Sequence, residues 1–118
     1  MININTNIEA TLKEVIPTYY ENYLDSDYEI PCVVYSILQN SEVEKGNVNG
    51  YSLITVRVKL WAVSIKDLCD YSEAIDNALA ELGHFERQSV GELVDGDLMC
   101  RIMDYSILLP EQYNSYRI

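Results

Sequence analysis

The chain has 118 residues, 48% of them hydrophobic, which supports one globular domain with its own core and excludes a disordered chain. Nineteen Asp and Glu against eight Lys and Arg leave a net charge of −11, which repels phosphate backbones and argues against ordinary nucleic-acid or anionic-membrane binding. No stretch is long and apolar enough to span a bilayer, and the N-terminus has no basic start or apolar signal core, so the expectation is a protein that stays in the cytoplasm.

In chain order, Thr6 and Glu9 have capping-box spacing, and Ile8, Leu12, Val15 and Ile16 recur at helical period. This predicts a short amphipathic helix over 7–16, stopped by Pro17. Thr18–Leu24 reads as a short edge strand or an irregular stretch, and Asp25–Asp27 as a polar break. Ile30–Leu38 is β-branched, aromatic and uncharged, the pattern of a strand covered on both faces. Gln39–Gly50 is polar and holds Gly46 and Gly50, which predicts a projecting, mobile hairpin loop.

Tyr51–Val63 alternates well. Ile54, Val56, Val58, Leu60 and Ala62 share one face, and Thr55, Arg57, Lys59 and Trp61 the other. Ser64 with Asp67 then caps a helix whose stripe is Leu68, Ser72, Ile75, Leu79 and Leu82, with Gly83 expected at C′. Phe85–Val94 is a weaker strand with a break expected at Gly91. Asp95-Gly96 signals a two-residue hairpin, and Leu98–Leu109 is a final strand ended by Pro110. The outline is α-β-β-α-β-β: an α+β domain spanning 1–118, helices packed on one mainly antiparallel sheet, with an arm over 1–6 and a tail over 110–118.

Motifs for chemistry are missing. Cys32, Cys69 and Cys100 are widely spaced without a Cys-x-x-Cys, and with one histidine they read as reduced thiols rather than zinc ligands. His84 follows a helix end and has no nucleophile at catalytic spacing nearby, so it reads as structural. Asp95-Gly96-Asp97 lacks the further oxygen ligands of a calcium loop, and the five glycines match neither a P-loop nor a dinucleotide fingerprint. No catalytic, metal or cofactor site is therefore assigned.

Attention shifts to surfaces, where ten tyrosines against one Trp and one Phe favour edges and interfaces. Arg57, Lys59 and Trp61 share a strand face that is either solvated or turned to a partner. The other candidate contacts are Glu42, Glu44, Lys45, Asn47 and Asn49 of the hairpin loop, and Tyr113 of the tail.

At Pro31–Ser36, Val56–Ala62 and the helix after Ser64, the chain resembles the small tail-completion or tail-terminator proteins of tailed bacteriophages and prophages. The likeness spans roughly Ile8 to Leu109, and Pro31, Tyr35 and Trp61 are its distinctive points. It implies a non-enzymatic subunit of a ring, usually hexameric, that caps the tail tube and meets the head connector. Such a protein would be found in the host cytoplasm during assembly and then at the head-proximal end of the virion tail. An acidic lumen would let DNA pass without specific binding. Other readings compete: an acidic DNA mimic, which needs a dense carboxylate array; a small adaptor module; and a small enzyme, which needs a deep pocket with perturbed carboxylates.

Overall fold

Alternation along one strand organises the molecule, and its two faces meet different surroundings. The computed structural model describes residues 4–20, 27–45, 48–83 and 85–110. They form α1 (Asn5–Lys13), β1 (Thr18–Tyr20), β2 (Cys32–Lys45), β3 (Val48–Ala62), α2 (Ile65–Gly83), β4 (Glu86–Asp95) and β5 (Leu98–Pro110). The five strands make one sheet in the order β1-β2-β3-β5-β4. β1 runs parallel to β2 and every other pair is antiparallel. The α+β class and the mainly antiparallel sheet are as expected. One strand more than the outlined order is present, because Thr18–Tyr20 is an edge strand rather than an irregular stretch.

The central strand β3 pairs along its length with β2 and β5. Ile54, Val56, Val58, Leu60 and Ala62 are fully buried on one face, as the alternation predicts. Ile4, Ile8, Leu12 and Ile16 from the α1 segment, and Leu68, Ile75 and Leu79 from α2, complete that core. Each large aliphatic side chain so buried contributes about 1.5–3 kcal/mol against exposure, which ties both helices to the same sheet face. α2 begins as the sequence predicts: the Asp67 amide donates to Ser64 Oγ at 3.1 Å.

Two buried phenols are matched across the layers. Tyr35 donates from its hydroxyl to Asn5 Oδ1 at 2.8 Å. Tyr105 donates to Asp76 on α2, whose other carboxylate oxygen pairs with Arg87 at 3.2 Å. Burial raises both phenols well above their ordinary range, with the Asp76 carboxylate adding to the rise at Tyr105.

Five local expectations need correction. α1 starts at Asn5 with Ile4 as N-cap and no side-chain cap bond, so Thr6 lies inside the first turn instead of capping it. Burial of Ile4 and the Asn5–Tyr35 bond outweigh the capping box, and they draw residues 4–6 out of the expected arm into the packed domain. Of the segment expected as a loop over 39–50, residues 39–45 and 48–50 are strand: β2 runs to Lys45 and β3 begins at Val48, with Lys45 facing Val48. Hydrogen-bonded pairing, not apolar alternation, extends those strands. Gly83 closes α2 as a helical residue without the left-handed φ of a C′ glycine. The irregularity in β4 lies between Arg87 and Ser89, while Gly91 pairs in register with Ile102. The hairpin turn is Gly96-Asp97, one residue later than expected, with Gly96 at φ 63° and Asp95 facing Leu98.

Truncating the buried helix stripe is expected to be costly and changing its outer face cheap. Leu79→Ala lowers unfolding free energy by about 3 kcal/mol, whereas Cys69→Ser on the exposed face of α2 changes it by less than about 0.5 kcal/mol. Urea denaturation of the two variants measures the contrast.

Candidate functional site

The helices cover one face of the sheet, and the register places Arg57, Lys59 and Trp61 together on the other. Arg57 lies directly opposite Asp104 of β5. Its guanidinium donates twice, from Nε to Oδ1 at 2.9 Å and from Nη2 to Oδ2 at 3.0 Å. This planar fork-to-carboxylate match holds the Arg57 proton more tightly than usual, and the Asp104 hydrogen bond is the main cause. Two register positions along, on the same face, the hydroxyls of Thr55 and Ser106 meet at 2.9 Å. The centre of the open face is thus a polar ladder across β3 and β5.

Toward the other end the face turns apolar. Lys59 stands between Val34 and Ile102, and Trp61 between Cys32 and Cys100. Cys32, Val34, Trp61 and Cys100 form a second small core, against which Tyr19, Tyr28, Leu98 and Ile102 pack. Tyr19 and Tyr28 stack with ring centroids 3.8 Å apart and planes within 1°. Trp61 is therefore only 8% exposed and offers a partner little surface. Its Nε1 is buried with no hydrogen-bond partner among the described residues.

The structure brings together three of the residues singled out from sequence, Arg57, Lys59 and Trp61, but it divides their roles. Arg57 is held in the chain, Trp61 is largely enclosed, and Lys59 sits at the boundary between polar ladder and apolar cluster. Glu42, Lys45 and Asn49 belong to the β2–β3 hairpin strands, with Glu42 opposite Ser52, and Glu44 falls at a register shift. Asn47, His84 and Tyr113 lie outside the described residues. Asp104 was missed: a single carboxylate amid the apolar run of the last strand was the available signal. Tyr19 and Tyr28 were missed because their contact depends on how the chain between β1 and β2 returns.

The charge arrangement explains where the acidic excess goes. Lys13, Arg57, Lys66, Arg87 and Arg101 pair with Glu9, Asp104, Asp70, Asp76 and Glu92 respectively. Most of the few cations are thus engaged within the chain. Arg101 also donates to Ser72 Oγ at 3.1 Å, pinning α2 to β5. Among the described residues no group of three or more His, Cys, Asp or Glu is placed to hold a metal ion, and no helix is long and apolar enough to cross a membrane.

Comparison with protein-family models finds no match, and comparison with curated proteins finds no significant similarity.

Two outcomes follow from this face. A double-mutant cycle with Arg57→Ala and Asp104→Ala is expected to give a coupling of about 1 kcal/mol in urea denaturation, because Arg57 is partly solvated. The second concerns the thiols. Burial pushes Cys32 and Cys100 from 9.0 up to about 11. The unfolded chain then ionises first, so the stability these protonated thiols supply is complete below pH 9 and is lost as pH rises toward 11. The slope approaches about 1.4 kcal/mol per pH unit for each thiol. Denaturation at pH 8 and pH 10.5 measures the loss, and a Cys32→Val, Cys100→Val variant should show a smaller one.

Proposed function

We propose that this chain is a structural subunit of a tailed bacteriophage or prophage that closes into a homo-oligomeric ring, caps the tail tube and joins it to the head connector. The carrying observation is the continuous β2–β3–α2 scaffold. Apart from Pro31, it contains the residues on which the resemblance rests, from Cys32 through Tyr35 and Val56–Ala62 to the Ser64 cap. Pro31 stands immediately before it.

Shape adds support. The molecule measures 50 × 24 × 22 Å, and strands of fourteen and fifteen residues give it that length. A stiff hairpin is a suitable arm for reaching a neighbouring subunit, since its main-chain bonds hold its direction. Lys59, with the polar ladder at Arg57, then offers the sheet-face contact, and the hairpin strands that include Glu42, Glu44, Lys45 and Asn49 the lateral one. Trp61 supports that surface from beneath. In this role the protein catalyses nothing and needs no cofactor. The acidic surplus lines or flanks a passage through which DNA moves without being held.

Light scattering and negative-stain imaging of the concentrated protein test the reading, alone and on purified tail tubes. A closed ring with a pore that admits a DNA duplex is expected; a protein that remains monomeric in both settings overturns it. Deleting residues 42–49 should abolish ring closure while far-UV circular dichroism and melting temperature show a retained fold.

A further inference from the structure

The long outer edge of the sheet is β4, and it lies open. Among the described residues β5 is its only strand neighbour. Residues 90–95 are all exposed, as are Gln88 before them and the Gly96-Asp97 turn after them. The chain that enters and leaves this stretch therefore does not cover it. Edge strands of folded proteins are guarded by lysine, proline, a bulge or an inward charge. Here the one irregularity lies between Arg87 and Ser89, and residues 89–95 run in unbroken register with β5. They contain no lysine and no proline. Their one interior charge, Glu92, is held by Arg101, whose Nε and Nη2 donate to Oε1 at 2.9 and 2.8 Å.

The same stretch is apolar on both faces. Val90, Leu93 and Val94 are 50%, 42% and 73% exposed. Val90 lies opposite Met103 and Val94 opposite Met99, which places both on the helix-covered face. Leu93, opposite Cys100, lies on the open face. A hollow of about 140 Å³ beside Val94, lined also by Ile65, Leu68 and Met99, carries the patch onto α2.

We propose that β4 pairs antiparallel with β4 of a second copy about a two-fold axis at Glu92, joining two five-stranded sheets into one. A two-fold axis normal to the sheet keeps the helices on one side and brings residues of like face together. Centring it on Glu92 uses all of residues 89–95 and none of the irregular end. Val90 then faces Val94 of the partner subunit, and Leu93 faces Gly91 of the partner subunit. At Gly91 an added β-carbon would meet nothing within 4 Å, so the leucine has room to lean across. Charge selects the occupant. Chains of net charge −11 approach closely only where the surface is locally neutral, and the Glu92–Arg101 pair makes it so here. A strand from another protein would need its own match to this order of residues, whereas a second β4 supplies it from both sides. The contact uses neither Lys59 nor the β2–β3 hairpin, so it stands or falls separately from ring formation.

Sedimentation of the full chain from low micromolar to submillimolar concentration tests the pairing, with two variants at exposed positions. In Val90→Lys, Val94→Lys each new lysine faces another across the axis. In Val90→Lys, Val94→Glu each lysine faces a glutamate. The two positions lie about 13 Å apart along one strand, too far to pair within a chain. The unaltered chain is expected to dimerise with concentration. The double-lysine variant should bind itself about tenfold more weakly, and the lysine–glutamate variant should regain the loss, with far-UV circular dichroism unchanged in both. A mixture of isotope-labelled and unlabelled chains should also show a nuclear Overhauser effect between Val90 and Val94 methyl groups, which that separation forbids within one chain. A chain that stays monomeric at submillimolar concentration overturns the proposal. So does a dimer indifferent to the lysines, one not restored by the glutamate, or one without the Val90–Val94 signal. Closed rings in a protein that shows no such dimer overturn it too, and leave ring formation intact.

Discussion

The pairing of β3 on both sides is the constraint on which the rest depends. With β2 and β5 bonded to its two edges, the only freedom left to β3 is which side chains go up and which go down. Strict alternation decides that: five aliphatic residues face the helices, while Thr55, Arg57, Lys59 and Trp61 face away. A one-residue slip would bury Arg57 and Lys59 in an apolar core and expose Ile54 to Leu60, so register here is enforced by hydrophobicity and charge together.

The two faces then solve different problems. Beneath the helices, buried hydroxyls at Tyr35 and Tyr105 each find a carbonyl or carboxylate oxygen, so these phenols enter the core already matched. On the other face, Arg57 meets Asp104 without a helix to cover them, and the aromatic pair Tyr19–Tyr28 closes the apolar end around Trp61. An acidic chain whose basic side chains are largely used for internal cross-links presents most of its uncompensated charge to its surroundings. A partner therefore meets a surface that is negative almost by default, punctuated by tyrosine.

What was legible in the sequence follows from the range of the interactions. The β3 face and the α2 stripe were readable because periodicity is local and burial enforces it. The Ser64 cap was readable because donor and acceptor lie three residues apart. The start of α1 was not, since Thr6 and Glu9 fit a capping box locally while Ile4 and Asn5 answer to the core and to Tyr35. The hairpin strands over 39–45 and 48–50 carry no apolar alternation, so a ladder held by main-chain bonds looked like a loop. Of the candidate site, Arg57, Lys59 and Trp61 were correctly placed on one face. Their partners were hidden: Asp104 is 47 residues from Arg57, and the closure over Trp61 depends on Tyr19 and Tyr28 meeting across a connecting segment.

The strand order has a consequence for how the chain assembles itself. β2 and β3 are joined directly, so their ladder closes a short loop, whereas β5 reaches β3 only after α2 and β4 have been synthesised. Short loops lose less chain entropy on closing, which favours the hairpin as the earlier structure and the β3–β5 seam as the later one. During that interval Arg57 has no carboxylate opposite it, and the aliphatic face of β3 has a neighbour on one side only. The arrival of Asp104 with β5 therefore completes the charge pair and shuts the hydrophobic seam in the same event.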